Sequence, residues 1–335
     1  MTDVVALAAE LLAIPSTTRD EGRAVDFVAR WLVARGWDVT VQEVTPGRGN
    51  VWASRRGGGV TLSPHLDTVP PFFISREDDE DIWGRGACDT KGIIASMIKA
   101  VESLLEAGER GFGLLFVVGE ERTSAGAYRA AQTPRGSRYI INGEPTGNRL
   151  ALGSKGSLRY EVVASGKMAH SAYPELGDSA IHKLVDVLAE MRRIPLPVDS
   201  LLGPSTLNIG TLSGGRAPNV VADEARADIM IRLVGDPGET KKAFAAVAAG
   251  RAELREVIEI PAVHLNSVDG IETTVVAFTT DIPAFGGQWG EPFLIGPGSI
   301  HVAHTLEERV PKQQLLEAVQ IYRRMVQQLC KRESK

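Results

Sequence analysis

Apolar residues recur along the first third of the chain with two different spacings. In residues 21–35 they follow the helical spacing of three and four, as at Val25, Val28 and Leu32. Shorter runs rich in β-branched and aromatic residues predict strands instead. We predict helices over residues 3–13, 21–35 and 91–107, and strands over Asp38 to Val44, Asn50 to Ser54, Val60 to Ser63, Leu114 to Val118 and Tyr139 to Asn142.

Two of these runs, Leu114 to Val118 and Tyr139 to Asn142, are almost wholly apolar. Such runs are typical of strands in a sheet that is covered on both faces. Strands that alternate with helices predict an α/β layer fold. The run Gly57-Gly58-Gly59 predicts a hairpin turn between the strand that ends at Ser54 and the strand that begins at Val60.

The pattern changes near Gly156, where Leu158 to Ala164 alternates like a half-buried strand. The following residues predict a β-α-β-β-α-β order, which is that of a ferredoxin-like α+β domain. The α/β pattern resumes after Pro261, so we assign a larger domain to residues 1–154 and 263–335 and an inserted domain to residues 155–262. The remaining predicted elements are a helix over 178–192, strands over 205–212 and 222–233, a helix over 237–249, a strand over 253–259 and a final helix over 311–332.

Composition limits the classes of function. The 335 residues are 43% hydrophobic, which is enough for a sizeable core, and the net charge of −5 without a basic block argues against a nucleic-acid partner. No apolar run approaches the roughly 20 residues that span a membrane. The N-terminus lacks the basic start of a signal peptide, and the two cysteines, Cys88 and Cys330, are far apart. We therefore expect a cytoplasmic protein without a disulfide framework or a membrane partner.

Candidate chemistry begins at the end of the third predicted strand, with His65-Leu66-Asp67. On a strand, His65 and Asp67 would point to the same side. A carboxylate beside an imidazole can fix its tautomer and make it a better metal ligand. The alternative is a histidine that merely lies at the end of a surface strand.

Asp89 precedes the helix predicted to begin near Lys91. Gly84 and Gly86 form a G-x-G, but Asp89 replaces the third glycine of the dinucleotide-binding pattern and would repel a pyrophosphate, which excludes that interpretation. Its carboxylate could bridge two cations with its two oxygens. The alternative is an N-cap residue.

Three more carboxylates follow predicted buried strands. Glu120 and Glu121 come directly after Leu114 to Val118, and Glu144 follows Tyr139 to Asn142. Open α/β sheets place their sites at the carboxyl ends of such strands, and carboxylates there are costly unless their charge is compensated. For Glu120 and Glu121 the alternative is a solvated loop pair.

His304 lies in a glycine-rich loop before the last predicted helix, with His301 as its rival. Together these segments supply two histidines, one aspartate and two glutamates for metal, and one further glutamate as a base. Two cations that share a bridging carboxylate require about that set.

The matching segments are HLDTVP (65–70), GRGACDTKG (84–92), GEE (119–121), NGEPT (142–146), GKMAHSA (166–172) and GPGSIHVAHTLEE (296–308). In this combination and order the chain resembles the M20 family of co-catalytic zinc amidohydrolases and peptidases, and within it the acetylornithine and acetyl-lysine deacetylases. The resemblance implies a zinc-exopeptidase-like α/β/α catalytic domain, with an inserted ferredoxin-like domain that serves as a lid and for dimerisation.

The resemblance also implies roles. One zinc would be held by His65, Asp89 and Glu144, and the other by Asp89, Glu121 and His304, with Co²⁺ or Mn²⁺ as substitutes. Asp67 would orient His65, and Glu120 would be the general base. A cis peptide bond is expected between Asp89 and Thr90. In the inserted domain, His170 would polarise the scissile carbonyl, and Asn219 and Arg232 match positions linked to substrate carboxylates or to the dimer. For Arg232 the alternative is a structural arginine at the end of a strand.

The function expected from this resemblance is hydrolysis of the amide bond of a small N-acyl amino acid by a homodimer. A di- or tripeptidase or a carboxypeptidase of the same family is the alternative. A non-catalytic binding protein on this fold would be expected to lose ligands, and all five are present here. A nucleotide-dependent enzyme would require the missing third glycine.

Overall fold

The structure is a computed structural model that describes residues 3–55 and 57–332. The ends of the predicted catalytic domain, residues 1–2 and 333–335, lie outside the described residues, as does Arg56. The chain divides into two units. We call them the outer unit (Met1–Leu152, Leu265–Thr274 and Thr280–Lys335) and the inserted unit (Gly153–His264 and Val275–Thr279).

The six predicted helices begin and end close to the predicted positions, because the apolar faces that define them are buried. They are α1 (Val4–Leu12), α2 (Gly22–Val33), α3 (Gly92–Glu106), α6 (Ala180–Met191), α7 (Gly238–Ala248) and α9 (Lys312–Arg332). Three short helices were not predicted: α4 (Glu120–Thr123), α5 (Ala125–Ala131) and α8 (Ile282–Phe285). A 3₁₀ turn (Pro174–Leu176) and a distorted π-type turn (Ala87–Lys91) complete the helical elements.

The strands of the outer unit are β1 (Asp38–Thr45), β2 (Arg48–Ser54), β3 (Val60–Pro64), β4 (Arg76–Glu77), β5 (Asp81–Trp83), β6 (Phe112–Phe116), β7 (Tyr139–Gly143), β17 (Glu291–Leu294) and β18 (Arg309–Pro311). Those of the inserted unit are β9 (Gly156–Ser165), β10 (Val198–Asp199), β11 (Gly203–Pro204), β12 (Thr206–Gly214), β13 (Glu224–Leu233), β14 (Glu253–Ile260) and β15 (Val263–His264). The chain passes from the outer to the inserted unit within β8 (Leu150–Ser154) and returns after His264. It enters the inserted unit again within β16 (Thr273–Val276) and leaves it after Thr279.

The main sheet of the outer unit has the strand order β1-β2-β6-β3-β7-β17. Strands β6, β3, β7 and β17 are parallel, whereas β1 and β2 add an antiparallel edge. Alternate residues of β6 point to opposite faces. Leu114 and Phe116 join the core on the side of α1, α3 and α9, and Leu115 joins a second cluster with Ala127 and Phe285. The sheet is therefore covered on both faces, as predicted.

The inserted unit has an antiparallel sheet of order β12-β13-β9-β14. One face packs against α6 and α7 through alternating residues such as Leu158, Val162, Ile229 and Ile231. The chain order β-α-β-β-α-β with the first and third strands in the centre is the ferredoxin-like arrangement. The predicted fold class, α/β with an inserted α+β unit, is confirmed.

The predicted hairpin at Gly57-Gly58-Gly59 is wrong. Strands β2 and β3 are not neighbours, because β6 lies between them and pairs with both. The hairpin of this region instead joins β1 to β2, with the register Thr45 opposite Arg48. The glycine run is a connection that crosses one strand of the sheet.

Within the described ranges, none of the helices combines the length and the apolar character that crossing a bilayer requires.

Candidate metal centre

Three parallel strands, β3, β6 and β7, bring candidate residues to one edge of the main sheet. His65 follows β3 directly and forms a bridge with Val117 beyond the end of β6. Glu144 follows β7, and Glu120 and Glu121 follow β6 after a short turn. Because parallel strands end at the same edge, side chains that are far apart in sequence converge there.

His65 is almost fully buried, and its two ring nitrogens have different partners. Nδ1 lies 2.9 Å from the backbone oxygen of Asp67, and Nε2 lies 2.9 Å from Oδ1 of Asp89. A carbonyl oxygen can only accept, so Nδ1 carries the hydrogen, and in the neutral ring Nε2 keeps its lone pair for a metal. Although burial acts in the opposite direction, the bond to Asp89 raises the pKa of His65 well above its usual value.

Asp89 lies between two histidines. Its Oδ1 faces Nε2 of His65, and its Oδ2 lies 3.2 Å from Nε2 of His304. The alternative that Asp89 is an N-cap is not supported, because Lys91 occupies the cap position of α3 and Asp89 makes no capping bond. The peptide bond between Asp89 and Thr90 is cis, as expected. A carboxylate with one oxygen directed to each of two nitrogen ligands has the arrangement of a bridging ligand.

Glu121 and His304 form the second contact of the cluster. His304 Nε2 lies 3.0 Å from Oε2 of Glu121, and the bonds to Asp89 and Glu121 raise the pKa of His304 to about 10. His304 has a left-handed backbone with φ of +63° and a half-exposed side chain. The rival His301 is exposed and makes none of these contacts.

Glu144 is 4% exposed, and within the described residues its Oε1 has no hydrogen-bond partner. Burial raises its pKa well above the usual value. Burial and then the charge of Glu144 likewise raise the pKa of Glu120, which is half-buried. A buried carboxylate oxygen without a partner is costly, and a cation would compensate it.

The carboxylate of Asp67 contacts the protein differently from our expectation. His65 is held by the backbone oxygen of Asp67, whereas the carboxylate Oδ1 lies 3.7 Å from Nδ1. The carboxylate instead accepts the backbone N–H groups of Gly119, Glu120 and Glu121 at 2.8, 3.0 and 3.2 Å. It therefore fixes the turn that carries both glutamates.

Glycine is required in that turn. Gly119 has φ of +83°, and a Cβ there would lie 3.0 Å from Nη2 of Arg48. A side chain would be strained by the backbone angle and crowded by the arginine. The sequence GEE is thus explained by one left-handed residue followed by the two carboxylates that it directs.

The donor set fits a metal. Ligand atoms of His65, Asp89 and Glu121 all lie within 4.8 Å of one another. Imidazole nitrogens and carboxylate oxygens are ligands of zinc and related divalent ions. The crowded carboxylates raise the pKa values of one another when no cation is near, and a bound cation reverses that effect.

The structure places the other three predicted residues in the inserted unit. His170 is exposed and bridges Val220, while the backbone oxygen of Asn219 accepts from the N–H of Ser171. Arg232 lies on β13 and is half-buried, and burial lowers its pKa. His170 and Asn219 thus lie close together within their unit.

Sequence reasoning missed three residues that contact or adjoin the cluster. Thr18 donates to Oδ2 of Asp67 at 2.8 Å, and Glu308 accepts the N–H of Asp89 at 3.3 Å. Asp281, at the start of α8, is 1% exposed, and its Oδ1 has no hydrogen-bond partner among the residues that the structure describes. Burial raises the pKa of Asp281 to about 7. Only Glu308 belongs to a segment recognised from sequence. Thr18 and Asp281 stand in segments without a motif.

Comparison with known proteins shows which family the chain belongs to. The model of the peptidase family M20/M25/M40 matches residues 61–328. A Peptidase M20 domain-containing protein of Schizosaccharomyces pombe is 38% identical over 97% of this chain and 84% of its own length. A protein of Aspergillus clavatus named a probable carboxypeptidase is also 38% identical, over 96% of this chain and 82% of its own.

A solved structure has the same fold. The M20 family metallo-carboxypeptidase Sso-CP2 of Sulfolobus solfataricus superposes with a TM-score of 0.81 at 17% identity, over 96% of this chain and 98% of that chain. The fold and the site define a hydrolase of C–N bonds that depends on metal. The chain belongs to the peptidase family M20/M25/M40.

Proposed function

We propose that the outer unit holds two metal ions and hydrolyses the amide bond of a small substrate whose leaving group is an amino acid. His65, Asp89 and Glu144 would hold one ion, and Asp89, Glu121 and His304 the other. The observation that carries this proposal is the position of Asp89, whose two oxygens face two different histidines. Zinc is our first choice, and Co²⁺ or Mn²⁺ are substitutes for the same ligands.

Metal ions in such a site polarise a carbonyl group and lower the pKa of a bound water. Glu120 would accept the proton of the attacking water and return it to the leaving amine. Support for this role comes from its position beside Glu121 and from the raised pKa of its carboxyl group. The Asp67 carboxylate, which accepts the N–H of Glu120, would keep that base in place.

In the inserted unit, Arg232 and Asn219 would bind the substrate carboxylate, and His170 would polarise the scissile carbonyl. The guanidinium of Arg232 is half-buried, and no ion pair or side-chain hydrogen bond is found for it among the described residues. A substrate carboxylate would supply the missing partner, since a buried guanidinium favours a paired anion.

Two substrate classes follow from this chemistry, and both release a free amino acid. N-acyl amino acids are favoured by the segment GPGSIHVAHTLEE (296–308), which resembles that of the deacetylases. Short peptides are favoured by the relatives, since one is named a probable carboxypeptidase and a solved neighbour is a metallo-carboxypeptidase. A substrate panel separates these classes.

We also propose a homodimer formed through the inserted unit. Strand β12 is an edge strand of its sheet, and apolar side chains on β12 and on α6 are exposed: Leu212 by 58%, Val185 by 47% and Ile181 by 37%. An open strand edge beside exposed apolar residues favours pairing with a second copy. Sedimentation that gives a monomer at all working concentrations would contradict this part.

The proposed function is tested with the full chain, first depleted of metal with a chelator and then loaded with zinc, cobalt or manganese. Amine release is measured from N-acetyl amino acids and from di- and tripeptides with free or amidated carboxyl termini. We expect about two ions per chain, metal-dependent release of an amino acid, and loss of activity on amidated substrates. A chain that binds no metal, or that cleaves nothing after loading, would refute the proposal.

A further inference from the structure

A buried ion pair of Arg85 and Glu308 contacts the segment that carries Asp89. Glu308 and Arg85 are each 1% exposed, and Nη1 of Arg85 lies 2.6 Å from Oε2 of Glu308. The other oxygen, Oε1, accepts the backbone N–H of Gly86 at 2.9 Å and that of Asp89 at 3.3 Å. A single carboxylate therefore contacts both ends of the segment from Gly86 to Asp89.

Arg85 extends this contact to a third segment. Its Nε donates to the backbone oxygen of Pro71 at 3.2 Å, and its guanidinium lies over the ring of Phe73, 5.3 Å from the centroid. Arg85 is thereby held from two sides, so it presents a fixed charge to Glu308. The planar guanidinium suits such a role, because its donors have fixed directions.

The backbone at Asp89 needs external support. The turn Ala87–Lys91 is not a regular helix, because Asp89 (φ −128°, ψ 82°) and Thr90 (φ −132°, ψ 21°) have non-helical backbone angles. A regular helix would fix the backbone of Asp89 by its own hydrogen bonds. Here the N–H of Asp89 donates to Glu308, which does not belong to the turn.

We propose that Glu308, held in place by Arg85, is a positioning residue for the metal centre. It fixes the backbone of Asp89 so that one carboxylate oxygen faces His65 and the other faces His304. It touches neither substrate nor metal and acts through Asp89 alone. The inference rests on the proposed function, in which Asp89 bridges two ions. Removal of a group that orients a metal ligand typically lowers metal affinity or activity by roughly 10- to 100-fold.

The test is a cobalt titration of the metal-depleted full chain, with the visible absorption spectrum of bound Co²⁺ as the signature of ligand geometry. Glu308→Ala removes every contact, and we expect the Kd for Co²⁺ to rise about 100-fold with an altered spectrum. Glu308→Gln keeps an oxygen for the two N–H groups but loses the ion pair, and we expect a rise of about tenfold. Glu307→Ala is the matched control, since Glu307 is exposed, and it should bind cobalt like the wild type.

The outcomes separate the two proposals. A wild-type chain that binds no cobalt contradicts the proposed function itself. A wild-type chain that binds cobalt, with unchanged affinity and spectrum in both Glu308 variants, overturns the positioning role alone. If Glu308→Ala does not fold, Glu308→Gln decides. Measured below the melting temperature of Glu308→Gln, a higher Kd for Co²⁺ and a changed spectrum support the positioning role. A Kd and a spectrum equal to those of the wild type reject it.

Discussion

Two regions of this chain are rich in carboxylates, but the exposure and the neighbours of these carboxylates differ between the regions. On the sheet of the inserted unit, Asp228 pairs with Arg159 at 2.8 Å, and the side chains are 37% and 40% exposed. At the edge of the outer sheet, Asp67, Asp89 and Glu144 are each at most 5% exposed. The first region leaves its charges in water beside cations, and the second buries them beside one another.

This difference shows which of the charged residues are compatible with a stable fold without a bound ligand and which are not. Exposed pairs such as Arg159 with Asp228 cost little to form and stabilise little, because water screens them. Buried carboxylates are costly unless each oxygen is compensated. Backbone N–H groups compensate Asp67, but Oε1 of Glu144 has no partner in the described part of the chain. The remaining cost at this edge is what a bound cation would offset.

The largest expected effect is on turnover. Glu120→Gln keeps the size of the side chain but cannot accept a proton, so we expect kcat to fall by roughly 10²- to 10⁴-fold while metal content is unchanged. Steady-state kinetics and elemental analysis measure both quantities. Glu307→Gln is the control. A fully active Glu120→Gln variant would remove Glu120 from the mechanism.

The second prediction concerns pH. In the metal-free chain the pKa of His304 is about 10, so at neutral pH this ring is protonated and must lose its proton to bind metal. We therefore expect apparent metal affinity to rise as pH rises toward 10, by about tenfold per pH unit for each proton displaced. Calorimetric titration in buffers of different ionisation enthalpy counts the released protons.

In the metal-free chain, the contribution of His304 to folding stability changes with pH in the opposite direction to metal affinity. The folded pKa of His304 lies above its ordinary 6.5, so the contribution of its ion pairs is fully present below pH 6.5 and is lost as pH rises to about 10. His304→Asn should abolish one unit of proton release, and His301→Asn should keep it. Equal proton release from both variants would show that His304 is not a ligand.

The third prediction concerns Asp67. Replacing it with alanine leaves the N–H groups of Gly119, Glu120 and Glu121 without their acceptor, and an unsatisfied buried donor costs about 1–3 kcal/mol. We expect the free energy of unfolding of Asp67→Ala to fall by about 3 kcal/mol or more in urea with metal chelated. Asp67→Asn should lose less. Stability equal to the wild type in the alanine variant would mean that the turn is held by other contacts.

The smallest effect is expected in the inserted unit. A double-mutant cycle on Arg159 and Asp228 should give a coupling below about 1 kcal/mol that shrinks as salt is added. A coupling as large as the cost of Asp67→Ala, measured by the same denaturation, would erase the contrast between the two regions.

The sequence predicted the elements well where one local pattern decides them, as in the buried strands β6 and β7 and the alternating β9. It failed at Gly57-Gly58-Gly59, because local turn residues do not reveal that β6, more than fifty residues later in the chain, inserts between β2 and β3. Pairing between distant segments is a property of the whole sheet. A pattern of neighbouring residues does not encode it.

The candidate site divides in the same way. The sequence allowed us to predict His65, Glu121 and Glu144, because they follow buried strands. A polar side chain there is costly unless a partner compensates it. Asp281 was not, since a single carboxylate in a loop looks solvated until the fold buries it. The sequence also did not predict that the backbone oxygen of Asp67 accepts the hydrogen bond from His65. The residue type alone does not show whether the carboxylate or the backbone carbonyl of Asp67 makes this contact.

The outer unit is built from three stretches of chain, and the two stretches of the inserted unit lie between them in the sequence. This imposes an order on biosynthesis. Strand β7 gains its outer neighbour β17 only when residues 291–294 have been made, and α3 gains α9 later still. A nascent chain emerging from the ribosome thus carries His65 and Glu144 on a sheet whose β7 flank is open until β17 has been made, and His304 follows β17 in the sequence. That interval is when an unpaired strand is most exposed to wrong partners.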